Sequence, residues 1–169
     1  MMEKRVIALS DSHGCADRLR EAAALALSRG RIDALAFLGD GLADFEALQP
    51  LFCAESPETA FYAVRGNNDG RFRAPSEACF TVNGVRFYAC HGHEWHVKSG
   101  LERLACAARE REARVALYGH THRSGLCWEY GVCLMNPGAV CDGATRAIAY
   151  AEARVGEDGA VRTDLAKWR

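Results

Sequence analysis

Two stretches decide the fold: RVIALSDSHG at residues 5–14 and ALAFLGDG at residues 34–41. Each is an apolar run that ends in a turn carrying an aspartate. Short apolar runs of this kind, separated by helix-forming sequence, predict the buried strands of a β-α-β arrangement. The carboxyl ends of strands in an open α/β sheet meet at the edge where ligands bind. We therefore expect the polar residues at these strand ends to lie together in one site.

The remaining segments predict three helices and eight further strands. Helices are expected over residues 16–29, 42–48 and 101–114, with Pro50 ending the second. Asn83-Gly84 is the strongest short signal for a type I′ β-hairpin. The other strand-like runs are residues 59–64, 78–82, 85–90, 115–118, 126–130, 132–135, 146–154 and 160–165. Early β-α units and late hairpins predict an α/β fold with two mixed sheets covered by helices, in one domain over residues 1–169.

Composition limits the classes of partner. The chain has 169 residues, 49% of them apolar, and a formal net charge of -1, which gives no general attraction to nucleic acid or to a membrane surface. No run approaches the roughly 20 apolar residues that cross a membrane, and the first residues lack the pattern of a signal peptide. We expect a cytoplasmic protein that uses a small substrate, with self-association left open.

The eight cysteines are scattered, without a Cys-x-x-Cys pair. This spacing argues against a disulfide framework and against a structural zinc site, which favours regularly spaced cysteines. We therefore expect eight free, buried thiols that act as small hydrophobic groups, as for Cys79, Cys90 and Cys133 inside apolar runs.

Residues of metal-ligand type recur in five short clusters at the ends of apolar runs. They are Asp11, His13, Asp40, Asn67, His91, His120 and His122. In Asp11-x-His13 and His120-x-His122, the spacing puts both side chains on one side of an extended segment, so each pair can reach one cation. A carboxylate can bridge two cations, and we assign that role to Asp40. The clusters together predict a dinuclear metal site.

Each of these residues has an ordinary structural alternative. Asp11 and Asp40 could cap the helices that follow them. Asn67 and its neighbour before Asp69-Gly70 could simply build a turn. A lone histidine is more often a core or surface residue than a ligand, but all six histidines of this chain lie beside strand-end turns. Their common placement favours the metal site.

The ordered motifs Asp-Ser-His, Gly-Asp, Gly-Asn-Asn-Asp, His-Gly-His and Gly-His-Thr-His, between residues 6 and 138, resemble the calcineurin-like metallophosphoesterase superfamily. The resemblance is greatest to its small prokaryotic phosphodiesterase branch. It implies a four-layer α/β/β/α sandwich with two mixed sheets, and two divalent metal ions. Manganese is expected, with iron, nickel or zinc as alternatives. The implied ligands are Asp11, His13, Asp40 and His122 for one ion and Asp40, Asn67, His91 and His120 for the other.

The resemblance also implies a reaction, the hydrolysis of a small phosphoester by in-line attack of a hydroxide held between two metal ions. Many relatives carry a histidine acid where this chain has Asn68, and an asparagine cannot donate a proton as an acid. We therefore expect a phosphodiesterase with better activity on activated diesters than on alkyl monoesters. The candidate catalytic residues are Asp40, Asn68 and His93, and the candidate substrate-binding residues are Arg65, Asn68 and His93.

Two other functions stay open at this point. One is a phosphomonoesterase. The other is a protein-interaction scaffold without catalysis, because a eukaryotic relative in the superfamily resembles the retromer scaffold subunit. A complete ligand set favours an enzyme, since a scaffold has no need of it.

Overall fold

Two five-stranded sheets pack face to face in the computed structural model, which describes residues 3–70, 72–141 and 148–168. Within these ranges the elements are, in chain order, β1 (Lys4–Leu9), α1 (Ala16–Ser28), β2 (Ala34–Phe37), α2 (Leu42–Glu55), β3 (Ala60–Ala63), β4 (Glu77–Val82), β5 (Val85–Cys90), α3 (Glu102–Glu110), β6 (Val115–Leu117), β7 (Gly125–Glu129), β8 (Val132–Asn136), β9 (Ile148–Val155) and β10 (Val161–Trp168). Residues 146 and 147 of one predicted strand lie outside the described ranges.

Both sheets are mixed, as predicted. The first has the order β10-β9-β1-β2-β3, in which β1, β2 and β3 are parallel, β9 is antiparallel to β1, and β10 is antiparallel to β9. The second has the order β4-β5-β6-β8-β7, with a parallel centre of β5, β6 and β8 and antiparallel strands at both edges. The carboxyl ends of the parallel strands therefore form one edge in each sheet.

Four layers follow from where the apolar side chains pack. In β1, Val6 faces the second sheet while Ile7 faces α1 and α2. Because β1 is buried on both faces, its sequence is a continuous apolar run rather than an alternating one. Leu104 and other α3 residues cover the outer face of the second sheet. The shared core between the sheets supports the prediction of a single domain, which stays a prediction.

Helix α2 is longer than predicted. It continues through Pro50 to Glu55 instead of ending near residue 48. A proline inside a helix removes one backbone hydrogen bond and crowds the preceding turn. Phe45, Leu48 and Phe52 are all buried against the first sheet, so burial on both sides of Pro50 offsets that cost.

The expectation of eight free, buried thiols is wrong. Cys15 and Cys141 form a disulfide, with their Cα atoms 6.1 Å apart across a sequence separation of 126. Among the free cysteines, Cys90 and Cys133 are buried as predicted, but Cys79 is exposed. The pair was missed because its proximity arises only in the fold, where the backbone N–H of Cys141 donates to the carbonyl of Asp11 at 3.2 Å.

The predicted hairpin is confirmed. Asn83 and Gly84 have φ values of 45° and 75°, the left-handed values that a type I′ turn needs at both central residues. Tyr130 and Gly131 make a second turn of this kind, so β7 ends one residue earlier than predicted. None of the helices in the described ranges has the length and apolar character needed to cross a membrane.

Candidate metal centre

The turns that carry the predicted ligands meet at the carboxyl edges of the two sheets. The turn after β1 is bonded directly to the turn after β2: the N–H of Asp11 donates to Gly39 and that of His13 donates to Asp40, each at 3.0 Å. Five predicted ligands have left-handed backbone conformations, which are uncommon for residues other than glycine and cluster at functional sites. They are Asp11, His13, Asp40, His120 and His122.

One ligand group is formed by Asp11, His13 and His122. Asp11 Oδ1 lies 3.2 Å from His122 Nε2 and 3.6 Å from His13 Nε2, and the two imidazole nitrogens are 3.1 Å apart. Asp40 Oδ2 lies 4.0 Å from His13 Nε2. These are the four residues implied for the first metal ion, and their ligand atoms face one another.

A second group is formed by Asp11, Asp40 and His91. His91 Nε2 lies 3.4 Å from Asp40 Oδ2 and 4.0 Å from Asp11 Oδ1, and His120 Nδ1 lies 3.2 Å from His91 Nε2. Asp11 Oδ1 is thus common to both groups, whereas sequence reasoning gave the bridging position to Asp40 alone. Asn67, the remaining predicted ligand, is exposed on the turn after β3.

The residues present fit divalent cations. Asp11 is fully buried, and its Oδ2 accepts hydrogen bonds from the hydroxyl of Ser10 and the backbone N–H of His120. Its Oδ1 has no hydrogen-bond partner among the described residues. A buried carboxylate oxygen without a partner is costly unless something else neutralises it. The surrounding mixture of imidazole nitrogens and carboxylate oxygens suits manganese, iron, nickel and zinc alike.

The orientation of His91 is fixed from the first sheet. Its Nδ1 lies 2.6 Å from the carbonyl oxygen of Leu38, so Nδ1 carries the proton and Nε2 faces the carboxylates. A histidine ligand is commonly held in this way by a carbonyl on its other nitrogen. Burial would lower the pKa of His91, but its hydrogen bond to Asp40 and the charge of Asp11 raise that pKa.

The ionisation of Asp40 and His120 also suits cation binding. Burial raises the pKa of Asp40, but hydrogen bonds from His91 and Asn68 outweigh it and hold that pKa well below its usual range. Burial, together with the charges of His91 and Lys98, lowers the pKa of His120 to about 4. Near neutral pH, Asp40 is therefore an anion and His120 a neutral imidazole, the protonation states in which each can bind a metal.

The turn after β3 contacts the cluster through Asn68 rather than Asn67. The backbone N–H of Asn68 donates to Asp40 Oδ1 at 2.8 Å, and its side-chain amide donates to Asp40 Oδ2 at 2.7 Å. Gly66 permits this approach, since a Cβ atom there would lie 2.1 Å from Asp40 Oδ1. Arg65, the predicted phosphate contact, is exposed at the start of the turn.

His93 lies beside two candidate ligands, His91 and His120. Its ring centroid is 5.4 Å from that of His91 and 6.1 Å from that of His120. Its Nδ1 is buried and has no hydrogen-bond partner in the described ranges. Burial and the charge of His91 lower the pKa of His93. His93 is therefore next to the candidate centre.

The helix-cap alternative does not describe the two aspartates. Helix α1 begins after Cys15 and α2 after Gly41, and neither start has a side-chain cap hydrogen bond. Asp11 and Asp40 lie before those cap positions. Their side chains point instead toward the histidines.

Several buried residues that were assigned no role from the sequence hold the turns that carry the candidate ligands. Asn136 donates from its side-chain amide to the Gly119 carbonyl at 2.9 Å and to Thr121 Oγ1 at 3.1 Å, within the Gly-His-Thr-His turn. Asp44 and Asp69 accept hydrogen bonds from other ligand turns. Asp44 could have been noticed as an acidic residue in a first helical turn directly after Gly-Asp-Gly.

Comparison with known proteins agrees with this geometry. Residues 4–157 match the family model of the calcineurin-like phosphoesterase superfamily domain. The chain belongs to that superfamily. It is 28% identical to the probable metallophosphoesterase YsnB of Bacillus subtilis strain 168 over 135 residues, which is 80% of this chain and 74% of YsnB.

Solved structures with lower identity share the fold. A conserved uncharacterized protein and predicted phosphoesterase from Streptococcus pneumoniae TIGR4 has a TM-score of 0.72 at 22% identity, covering 99% of both chains. An archaeal phosphodiesterase has a TM-score of 0.69 at 18% identity, covering 96% of this chain and 99% of that one. Wild-type Vps29 from Entamoeba histolytica, complexed with zinc, has a TM-score of 0.66 at 17% identity, covering 98% of this chain and 99% of that one.

Proposed function

We propose that this member of the calcineurin-like phosphoesterase superfamily is a phosphodiesterase that binds two divalent metal ions. The observation that carries the proposal is Asp11 Oδ1, a buried carboxylate oxygen without a hydrogen-bond partner among the described residues, which lies in both candidate ligand groups. Two groups that share one oxygen suit two neighbouring cations better than one isolated ion. The ligands would be Asp11, His13, Asp40, Asn67, His91, His120 and His122, and manganese is the ion we expect.

Bound cations would neutralise the phosphoryl oxygens and lower the pKa of a water molecule, so that hydroxide can attack phosphorus in line with the leaving oxygen. The chain itself supplies position and charge. Asp11 and Asp40 bring negative charge into a buried site, and His91 is oriented by the Leu38 carbonyl. These fixed groups need little rearrangement during the reaction.

The preference for diesters rests on Asn68. Its side-chain amide donates to Asp40 Oδ2 at 2.7 Å, so it supports a ligand and offers no acidic proton to a leaving group. A leaving oxygen must then depart as a stabilised anion or receive a proton from elsewhere. His93, beside the cluster, is our candidate for a substrate contact or proton donor, and Arg65 is a candidate for contact with the phosphate.

The test is a rate comparison on manganese-loaded protein. We expect faster hydrolysis of bis-p-nitrophenyl phosphate than of p-nitrophenyl phosphate, by about tenfold or more, and slower hydrolysis still of an alkyl monoester. Asp40→Asn serves as the inactive control, because it removes the charge of a ligand while keeping its shape. Asn68→His should narrow the gap between diester and monoester by supplying an acid. Equal rates on both classes, unchanged in Asn68→His, would overturn the diester preference.

A scaffold function is the second candidate, and one surface favours it. Leu126, Trp128 and Tyr130 are 41%, 56% and 53% exposed along the edge strand β7 and its turn. Large exposed apolar side chains grouped on one strand are common at protein-binding surfaces. Turnover distinguishes the two candidates. A metal-loaded wild-type protein without activity on mono- and diesters would favour the scaffold. Turnover by the wild type that Asp40→Asn abolishes would favour the enzyme.

A further inference from the structure

Two buried carboxylates outside the ligand set hold the turns that carry His13 and Asp40. The first is Asp44, in the first turn of α2, which is 9% exposed. Its Oδ2 accepts hydrogen bonds from Ser12 Oγ at 2.6 Å and from the backbone N–H of Gly14 at 2.8 Å. These two donors flank His13 on both sides in the sequence. Asp44 therefore holds the backbone of the turn on which His13 is mounted.

The second is Asp69, which is 3% exposed and accepts four backbone hydrogen bonds. Its Oδ2 accepts from Asp40 at 2.6 Å and from Gly66 at 2.8 Å. Its Oδ1 accepts from Gly41 at 3.0 Å and from Leu42 at 3.1 Å. One side chain thus joins the turn after β2, the start of α2 and the turn after β3.

These contacts hold conformations that the backbone does not favour. His13 and Asp40 have φ values of 46° and 57°. Left-handed residues other than glycine persist where the surrounding structure fixes them. Hydrogen bonds to an ionised carboxylate are shorter and stronger than those between neutral groups, so Asp44 and Asp69 are suited to this role. If either were lost, the adjacent ligand could relax away from the geometry that a cation needs.

We propose that Asp44 and Asp69 are positioning residues that set the metal affinity of the site by fixing His13 and Asp40. This inference rests on the proposed metal site. Neither residue belongs to a candidate ligand group, and each acts through the turn that carries a candidate ligand. Outer residues that orient metal ligands typically change metal affinity by about 10-fold to 100-fold when they are removed.

The two carboxylates should respond differently to asparagine. Asp44 uses one oxygen for both donors, and an asparagine oxygen could accept both bonds with only the charge lost. Asp69 uses both oxygens, so asparagine would place an NH₂ group against backbone N–H donors. We therefore expect Asp69→Asn to be the more severe change, with Asp44→Ala between the two asparagine variants.

The experiment is titration calorimetry of chelator-stripped protein with Mn²⁺, without substrate. We expect Mn²⁺ affinity to fall by about threefold in Asp44→Asn, by about 10-fold or more in Asp44→Ala, and by up to about 100-fold in Asp69→Asn. Asp17→Asn is the matched control, since Asp17 is an exposed residue of α1, and it should leave the affinity unchanged. Circular dichroism and thermal unfolding of each stripped variant show whether it folds.

The readouts separate positioning from a general structural role. Loss of affinity in a variant that unfolds at the wild-type temperature supports positioning. Wild-type affinity in folded Asp44→Ala and Asp69→Asn would overturn it. If Asp69→Asn does not fold, the Asp44 variants and Ser12→Ala, which removes one donor to Asp44, decide the outcome. Wild-type protein that binds Mn²⁺ without hydrolysing a diester would overturn the proposed phosphodiesterase and leave this inference standing, whereas failure to bind Mn²⁺ overturns both.

Discussion

At the amino end of β1, Arg5 is buried and its guanidinium group makes five hydrogen bonds, as many as it has N–H groups. Just beyond the carboxyl end, Asp11 is also buried, but one of its carboxylate oxygens has no hydrogen-bond partner among the described residues. Glu152 on β9 accepts two of the Arg5 bonds, at 2.9 and 3.0 Å. A single strand therefore carries a fully paired charge at one end and an incompletely paired one at the other.

The difference separates what stabilises the fold from what serves the site. A buried ion is tolerated when every polar atom has a partner, as for Arg5. Asp11 lacks such pairing and is surrounded by candidate ligands whose backbone conformation is left-handed, such as His13 and His120. Features of this kind cost stability and are typical of functional sites. Substitutions at the two ends should therefore affect different properties of the protein.

The largest effect is expected from Asp11→Asn. Removal of the shared carboxylate should lower diesterase activity by about 1000-fold or more and weaken Mn²⁺ binding, because both ligand groups lose their common charge. The metal-free protein should be no less stable, within about 1 kcal/mol, since an amide can donate to His122 at the position of the unpaired oxygen. Hydrolysis of bis-p-nitrophenyl phosphate and urea unfolding in a chelator measure the two properties. Retention of more than a tenth of the activity would contradict the shared role of Asp11.

Local sequence signals predicted the strand layout and that the candidate ligands would lie together. Apolar runs ending in Asp-x-His, Gly-Asp and His-x-His mark strand ends, and parallel strands bring such ends together, as for Asp11 and Asp40. The Asn83-Gly84 turn was predicted because its left-handed backbone is encoded in two residues. These features depend on short stretches of chain.

The features that were missed depend on contacts between distant segments. Helix α2 passes Pro50 because Phe52 finds a buried position, which the local sequence does not reveal. Asp69 gathers backbone N–H groups from three segments, and nothing in a Gly-Asn-Asn-Asp turn specifies those donors. The Cys15–Cys141 pair spans a separation of 126 residues.

The disulfide covalently links Cys15, in the loop after β1, to Cys141, in the loop after β8. Its removal should have the next largest effect. Cys15→Ser with Cys141→Ser should lower the free energy of unfolding by about 4 kcal/mol, near the upper end for disulfides because the closed loop is long. Denaturant unfolding of protein purified without reductant measures this change. Cys53→Ser, at an exposed free cysteine, is the matched control and should have no effect.

Thiol counting provides an independent check on the pairing. Of the eight cysteines in the chain, the disulfide takes two, so unfolded, unreduced protein should show six reactive thiols. Eight reactive thiols would contradict the disulfide, and the stability loss in the double variant would then need another cause.

The smallest effect is expected at the paired end of β1. Glu152→Gln should lower the free energy of unfolding by about 2 to 3 kcal/mol at pH 7, because Arg5 would stay buried with a neutral partner. The diesterase activity of this variant should equal that of the wild type. The measurement is denaturant unfolding, with Glu46→Gln at an exposed position of α2 as control. A loss of activity without a loss of stability would contradict the separation of the two ends.

The pH dependence sharpens this last prediction. Burial raises the pKa of Glu152, but hydrogen bonds and charge from Arg5 and Arg154 outweigh it and lower that pKa below its ordinary value of 4.5. The folded state therefore binds fewer protons than the unfolded state as the pH falls below 4.5. The stabilisation by Glu152 is fully present above the unfolded pKa and is lost as the pH falls through the folded pKa. The difference in unfolding free energy between wild type and Glu152→Gln should accordingly become smaller in acid. A difference that stays constant between pH 7 and pH 3 would mean that the carboxylate charge of Glu152 does not stabilise this end of β1.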